Sequence, residues 1–355
     1  MNAPNTPAPA LPEHNRLGLD YGRPIPRPKV RGIAIDAHVH IHTAPQADVY
    51  LATATHYGFT HCLSMSPLEE ALRIQRRWGQ RVHFIAMPKW RDWGPGFIGE
   101  WLKRIEAFYN IGSRMVKFWF APPAIGDRLW RLDSEQFRPL LREARARGMA
   151  VLTHFGDPEI WYRTRYADTG KYGTRDDHYR MWENVLEEYR GTPWIAAHLA
   201  GNPENLSRVQ RLLDRYPDLH VDCSATRWMI REISCRRDEA REFFIRNQDR
   251  IIFGTDIVTA PDRQFDFLAS RFYALRKLLE TGYIGPSPIF DPDLPEDQQP
   301  VMRGLALPDE CLQKLYHDNI VRLLARVGAR FDECPDVAVE KPLFARQPAT
   351  AAASP

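Results

Sequence analysis

Two histidines with one residue between them are the first sign of chemistry in this sequence. His38 and His40 follow the short apolar run Ile33–Ala37. Because side chains alternate along a β-strand, both imidazoles would project from the same face at the end of that strand. A pair of neutral imidazoles on a rigid backbone supplies half of a transition-metal site. Histidines on the surface or in the core show the same spacing, so this motif alone is a weak signal.

Four further ionisable residues lie in or directly after later apolar runs. They are Lys117, His154, His198 and Asp256. Taken singly, each has an ordinary structural explanation: a hydrogen-bonded core histidine, a lysine that reaches solvent from a strand end, or an aspartate that caps a helix. Taken together with the first pair, they fall in chain order on the first, fourth, fifth, sixth and eighth predicted strands. This joint pattern indicates a metal site.

Apolar runs that alternate with amphipathic stretches predict the framework that positions these residues. Eight runs recur at a spacing of roughly 30 residues, as in β/α units: Ile33–Ala37, Thr60–Ser64, Val82–Met87, Met115–Phe120, Ala150–Thr153, Trp194–Ala197, His220–Cys223 and Ile251–Gly254. Strands that alternate with helices pair in parallel through right-handed crossovers. No glycine-rich dinucleotide loop follows the first run, so an α/β fold of the (β/α)8 TIM-barrel type is favoured over a doubly wound sheet. A barrel gathers the carboxyl ends of its strands at one mouth.

Two connections are too long to be simple loops. Gly156–Arg180 follows the fifth predicted strand and is rich in aromatic and basic residues, and Thr259–Pro308 follows the eighth. Long connections at the carboxyl end of a barrel commonly form the walls of its site. We expect residues 31–330 to form the barrel with a closing helix, residues 1–30 to form a largely disordered amino-terminal tail, and residues 331–355 to form a carboxy-terminal tail.

Composition excludes several classes of protein. The chain has 355 residues, 44% of them hydrophobic, and a formal net charge of +3. We therefore expect a small-molecule substrate, with neither nucleic acid nor a membrane as partner, because no basic cluster and no membrane-length apolar run is present. Five scattered cysteines without a C-x-x-C motif are typical of a reduced, cytoplasmic protein. The oligomeric state, including a homodimer, stays open.

Cationic and aromatic residues near other strand ends are candidates for substrate binding. Lys89, Trp119, Arg227 and Trp228 suit an aromatic or unsaturated carboxylate, because cations pair with the anion and rings stack on its body. The alternative is that they are ordinary packing and surface residues.

The strand-end motifs resemble those of the amidohydrolase superfamily, in particular its amidohydrolase-related branch. The matching segments, within about residues 33 to 325, are Asp36-Ala37-His38-Val39-His40, Val116-Lys117, Thr153-His154, Ala197-His198-Leu199-Ala200-Gly201-Asn202-Pro203-Glu204, Phe253-Gly254-Thr255-Asp256 and Leu315-Tyr316-His317-Asp318-Asn319. The set is specific for the family and not for a substrate.

The resemblance implies a set of roles. His38 and His40 would bind a buried divalent ion, with Asp256 as a further ligand. Members with one ion add the histidine at the place of His154, and the histidine at the place of His198 binds or polarises the substrate. Members with two ions use both histidines and bridge the ions with a carboxylated lysine, the place that Lys117 occupies here. Nitrogen and carboxylate ligands suit Zn²⁺ first and Mn²⁺ as the alternative.

Three functions follow from these roles. The first is hydrolysis of an ester, lactone or amide, in which Asp256 carries a proton and His198 or a second ion polarises the attacked carbonyl. The second is non-oxidative decarboxylation of an aromatic or unsaturated acid, with Asp256 supplying a proton to carbon. The third is a barrel that binds metal without catalysis.

Overall fold

The chain folds into a parallel β-barrel surrounded by helices. The computed structural model describes residues 11–23, 25–90 and 94–331. The barrel strands are Ala34–His40 (β1), Phe59–Ser64 (β2), Val82–Ala86 (β3), Met115–Trp119 (β4), Ala150–His154 (β5), Trp194–Ala196 (β6), Leu219–Asp222 (β7), Ile251–Ile252 (β8) and Ile257–Val258 (β9). All eight predicted strands are therefore present, and the predicted α/β barrel is confirmed.

The last barrel strand is interrupted, and its two pieces close the ring. Strand β8 pairs with β7, whereas β9 pairs with β1. Between them the amide of Ala37 donates to the carbonyl of Phe253, and the amide of Asp256 donates to the carbonyl of His38. The interruption places Asp256 directly over the end of β1.

Helices cover the outside of the barrel and close its lower end. They are Ala44–His56 (α1), Leu68–Trp78 (α2), Phe97–Asn110 (α3), Pro122–Arg128 (α4), Arg138–Ala146 (α5), Glu159–Arg163 (α6), Thr169–Tyr172 (α7), Arg175–Glu188 (α8), the irregular turn Ala197–Gly201 (α9), Leu206–Arg215 (α10), Thr226–Trp228 (α11), Arg237–Arg246 (α12), Phe265–Glu280 (α13), Asp309–Gln313 (α14) and Asn319–Arg326 (α15). Short 3-10 turns cover Gly79–Arg81 and Glu296–Gln298, and π-helical turns cover Met229–Ile233 and Lys314–Asp318. None of the helices in the described part of the chain is long and apolar enough to span a membrane.

The apolar side chains form two packed clusters. The inner cluster includes Ile35, Leu63, Ile85 and Leu152 from the strands, and Leu324 of α15 packs against it from below. The outer cluster joins the strands to the surrounding helices. The lower end of the barrel is thus filled mainly with apolar side chains, whereas the candidate ligands lie at the upper mouth.

The two long connections are folded rather than open. The segment after β5 contains α6 and α7 before the crossover helix α8, and the segment after β9 contains α13 and a two-stranded antiparallel hairpin, Ile284–Pro286 (β10) with Val301–Arg303 (β11). Of the expected amino-terminal tail, the described residues include Tyr21, which is buried and packs edge-on against Tyr273 of α13. The expected tails at residues 1–10 and 332–355 lie outside the described residues, and the division of the chain into domains stays a prediction.

Candidate metal centre

Three predicted ligands meet at the mouth of the barrel. The Nε2 atoms of His38 and His40 each lie 3.3 Å from Oδ1 of Asp256. His38 is almost completely buried, whereas His40 and Asp256 are partly exposed to the mouth. Two imidazole nitrogens and a carboxylate oxygen therefore face one another at the meeting point of β1 and β9.

A bulge in β1 brings both histidines of the His-x-His motif to this face. The pairing of β1 with β2 shifts its register between Asp36 and Val39. A bulge interrupts the alternation of side chains, and Asp36 accordingly turns to the outer side, where its carboxylate accepts hydrogen bonds from Tyr50 of α1 and from Thr255. Simple alternation along β1 would place Asp36 on the same face as His38 and His40, and the bulge places it on the opposite face.

Asp222, at the end of β7, is the functional residue that the sequence reasoning missed. Its Oδ2 accepts a 2.8 Å hydrogen bond from Nδ1 of His38, and its Oδ1 accepts one from the backbone amide of His198. Because Nδ1 of His38 carries the donated proton, Nε2 of the same ring is left with a free lone pair. Although burial and the charge of Lys117 oppose it, Asp222 and Asp256 raise the pKa of His38.

Ser224 sets the protonation of His198 in the same way. The hydroxyl of Ser224 donates to Asp222, so its oxygen accepts the hydrogen bond from Nδ1 of His198 at 2.8 Å. Burial lowers the pKa of His198 well below its ordinary value, which keeps the ring neutral. The unprotonated Nε2 lies 3.8 Å from Oδ2 of Asp256. In this tautomer Nε2 of His198 is an acceptor, and the role that the resemblance implied, binding or polarising the substrate, stays a prediction.

Unusual backbone conformations position these side chains. His198, Leu199 and Ala200 have φ values of 58°, 50° and 58°, so a left-handed turn follows β6. Asp256 also has a positive φ, 54°. Each such residue costs on the order of 1–3 kcal/mol and persists only where the surroundings enforce it. The left-handed turn bends the chain directly after β6 and directs the His198 ring against that of His38, with 5.2 Å between ring centroids.

Close packing beneath the site requires one glycine. A Cβ atom on Gly254 would lie 2.6 Å from Cβ of His38. Such a contact is too short for any side chain, so Gly254 allows the chain after β8 to approach β1 at the point where the ligands meet.

Lys117 and His154 lie near the three ligands. Lys117 is buried in β4, and burial lowers its pKa to about 8, against the opposing charges of Asp256 and Asp222. The ring of His154 packs edge-on against His198 at 4.7 Å, but its Nε2 is hydrogen-bonded to Asp157 at 2.8 Å. Within the described residues, the nitrogens of His154 do not join the group of side chains that could hold one ion with His38.

The arrangement fits a divalent metal ion. Two groups of side chains have the spacing for an ion: His38 with His40 and Asp256, and His38 with His198 and Asp222. In the second group the nitrogen of His38 that faces Asp222 is already used as a donor. In the first group, Nε2 of His38 is buried without a hydrogen-bond partner. A buried lone pair that faces a carboxylate oxygen needs a cation or a donor between them, which favours the first group.

A cleft of about 470 Å³ leads from Asp256 to the surface. Of the predicted substrate residues, Arg227 and Trp228 line it, and Trp228 packs edge-on against His198 at 5.2 Å. Lys89 and Trp119 do not belong to the lining of this cleft among the described residues: Lys89 is exposed, and Trp119 packs on Trp90 at the end of β4. The cleft is therefore lined by residues that follow β7 and belong to or precede β9, and not by the predicted residues near the ends of β3 and β4.

Several solved structures are similar to this chain at low sequence identity. A candidate amidohydrolase from Staphylococcus aureus matches with 11% identity over 82% of this chain and 99% of its own, at a TM-score of 0.52. A probable 2-pyrone-4,6-dicarboxylic acid hydrolase from Acinetobacter baumannii, with citric acid bound, matches with 14% identity over 83% and 99%, at a TM-score of 0.49. A 5-carboxyvanillate decarboxylase from Novosphingobium aromaticivorans, complexed with manganese, matches with 12% identity over 84% and 98%, at a TM-score of 0.48.

The sequence itself matches a family of known enzymes. No curated protein matches the chain significantly. A family model described as amidohydrolase matches residues 46–326, which is most of the chain and begins just after the His-x-His motif. The chain therefore belongs to the amidohydrolase family.

Proposed function

We propose that this protein is a metal-dependent hydrolase that cleaves an ester, lactone or amide bond in a small anionic substrate. The observation that carries the proposal is the unpartnered Nε2 of His38, which faces Asp256 and is held in that protonation state by Asp222. The buried Nε2 of His38 and a partly exposed carboxylate oxygen of Asp256, with a second imidazole beside them, form a ligand set that suits a cation.

His38, His40 and Asp256 would hold the ion. Zn²⁺ suits two imidazoles and a carboxylate, and Mn²⁺ is the alternative. Because Nε2 of His198 is an acceptor near Oδ2 of Asp256, we propose His198 as a further ligand or proton acceptor. When bound, a divalent ion supplies Lewis acidity that makes water more acidic and polarises a substrate oxygen.

Asp256 is the residue that we propose to move the proton. Burial opposes it, but the neighbouring His38 and His198 hold the pKa of Asp256 well below its usual range, so the group is a carboxylate. A carboxylate at the mouth of the cleft accepts a proton from the attacking water and delivers it to the leaving group. Trp228 and the neighbouring Trp161 exclude water from one side of the cleft.

Carboxylation of Lys117 would determine whether the site holds one ion or two. It lies close enough to His38 and Asp256 to interact with their charges, and its lowered pKa makes more of the neutral amine available for carboxylation by CO2. Metal analysis of the purified protein gives the number of ions directly. If the lysine bridges two ions, Lys117→Ala should hold about one ion fewer, and short carboxylates should restore part of the activity. Unchanged metal content and activity in Lys117→Ala would indicate that the site holds a single ion.

Decarboxylation of an aromatic acid is the second candidate function. It is favoured by the cation and the indole that line the cleft, Arg227 and Trp228, which suit an aromatic carboxylate.

Incubation of the Zn²⁺- and Mn²⁺-loaded protein with a panel of lactones and hydroxybenzoates separates the two functions. We expect lactone opening with incorporation of one oxygen from labelled water. Release of CO2 without incorporation of water oxygen would establish the decarboxylase instead.

We also propose that the enzyme acts in the cytoplasm. The four cysteines within the described part of the chain are all free thiols, and three of them are buried. Free structural thiols are typical of a reducing compartment.

A further inference from the structure

Three arginines line the cleft beyond Asp256. Arg227 belongs to α11, Arg263 precedes α13, and Arg271 lies two turns into α13. We call this group the arginine cluster. All three side chains are partly buried, and all three line the same cleft as the carboxylate of Asp256.

The ring of Phe267 holds two members of the cluster in place. The guanidinium carbon of Arg271 lies 3.7 Å from the ring centroid, and that of Arg263 lies 4.8 Å from it. Arg263 donates to the carbonyl of Val258, and Arg271 donates to the hydroxyl of Ser270. These contacts fix the side chains but use only one guanidinium nitrogen of each, so the remaining donors are available to a ligand.

The cluster lacks the carboxylate partners that other arginines of this region have. Arg165 forms an ion pair with Asp293, and Arg231 forms ion pairs with Asp291 and Asp293. In the described part of the chain, by contrast, no carboxylate forms an ion pair with Arg227, Arg263 or Arg271.

The charges of the cluster act on one another. Burial, together with the charges of Arg227 and Arg263, holds the pKa of Arg271 well below its ordinary value, and Tyr21 and Glu13 oppose this effect. Glu13 is exposed at the rim of the cleft. Three cations grouped in a partly buried cleft repel one another, and an anion bound between them would remove that repulsion.

We propose that the arginine cluster binds a second anionic group of the substrate, a carboxylate or a phosphate, at the end of the cleft away from the ion. This inference rests on the proposed function for the reaction at Asp256. The indoles of Trp161 and Trp228 line the cleft as well, so the body of the substrate is flat and unsaturated. The substrate class is thus a planar compound with an anionic group remote from the bond that reacts.

Calorimetric titration of the Mn²⁺-loaded full-length protein tests this proposal without turnover. The probes are benzoate, with one carboxylate, and isophthalate and terephthalate, with two. The remote anion can be a carboxylate or a phosphate, so 3-phosphonobenzoate and 4-phosphonobenzoate form the second arm. We expect at least one dianion to bind about tenfold more tightly than benzoate, as expected for an added charge-assisted hydrogen bond.

Arg271→Met should abolish this preference and leave the affinity for benzoate unchanged. Lys277→Met is the matched control, because Lys277 is a partly buried cation of the same helix, stacks on Tyr283 at 4.9 Å and lies outside the lining of the cleft. Arg263→Met is the second test variant, should Arg271→Met fold poorly by circular dichroism.

Equal affinities for benzoate and all four dianions would overturn the proposal, as would a preference that survives in both arginine variants. Metal content and lactone hydrolysis, measured on the same preparations, report separately on the proposed function. If the protein binds metal and hydrolyses lactones but shows no preference for the dianions, only the proposal for the arginine cluster is rejected. A dianion preference in a protein that neither retains metal nor hydrolyses lactones rejects the proposed hydrolase alone.

Discussion

Histidines lie buried at both ends of this barrel, and their surroundings differ. At the upper mouth, His38 and His198 lie beside the carboxylates of Asp222 and Asp256. At the lower end, His61 of β2 and His220 of β7 are equally buried, but the charges nearest to them belong to Arg81 and Arg250.

The charges of the neighbours have opposite consequences at the two ends. At the lower end, burial and then the nearby arginines lower the pKa of His61 to about 4 and that of His220 to about 3. A cation would be repelled there. At the mouth, Asp222 and Asp256 raise the pKa of His38 in spite of its burial, which shows a local preference for positive charge. A buried histidine is therefore a sign of a metal site only where carboxylates surround it.

The largest expected effect comes from removing a ligand at the mouth. His38→Ala should lose bound metal and activity together, with activity lower by about 10³-fold or more, because the ion contributes several kcal/mol to the reaction. His61→Ala is the matched control at the lower end and should retain its metal, at some cost in stability from the cavity. Metal content and the rate of lactone hydrolysis are measured for both variants and compared. Retention of metal by His38→Ala would remove the distinction between the two ends.

A smaller effect is expected when the proton carrier is changed but a ligand oxygen is kept. Asp256→Asn should reduce the rate by about 10²- to 10⁴-fold, the usual contribution of general acid–base catalysis. The loss of metal should be smaller than the loss of rate, because the amide oxygen can still coordinate. Activity equal to that of the unmodified enzyme would count against Asp256 as the proton carrier.

Substitution of Asp222 tests whether its carboxylate, which is hydrogen-bonded to His38, prepares the mouth for metal binding. Asp222→Asn should weaken metal binding by about 10- to 100-fold, as is typical of residues that orient a ligand histidine. Ser224→Ala should have a smaller effect, since Ser224 contacts Asp222 and His198 with a neutral hydroxyl. Titration with a competing chelator measures both affinities. If Asp222→Asn binds metal as tightly as the unmodified protein, the hydrogen bond to His38 is not what prepares the site.

The smallest expected effect is on the pH dependence of stability, through His61 at the lower end of the barrel. The folded protein keeps His61 neutral down to its pKa of about 4, whereas in the unfolded chain it takes up a proton near about pH 6.5. The unfolded state therefore binds more protons between these values, and stability falls as the pH falls through this window. In His61→Asn, the acid-induced loss of free energy of unfolding should be smaller by on the order of 1–2 kcal/mol.

Urea unfolding of the unmodified protein and of His61→Asn, at about pH 7.5 and about pH 5, measures that difference. The unmodified protein should lose more free energy of unfolding between the two conditions than the variant. Equal losses would mean that another group accounts for the acid sensitivity.

The sequence by itself determined the barrel and most of the candidate ligands. Apolar runs of strand length at regular spacing require parallel pairing, and parallel pairing places all the strand ends at one mouth. The positions of His38, His40, His198 and Asp256 within the mouth could therefore be predicted without coordinates. Lys89 and Trp119 follow the same rule but are not among the residues that line the cleft, because a strand end specifies the mouth and not the side of it.

Only the tertiary structure decided which atoms of these residues can act. The bulge in β1 turns Asp36 away, Asp222 and Ser224 fix the protons of His38 and His198, and the left-handed turn after β6 aims the second ring. The arginine cluster likewise joins α11 to α13, whose side chains meet only in the folded chain. Spacing along the chain determines which elements form, whereas hydrogen bonds and charges between distant elements depend on how those elements pack.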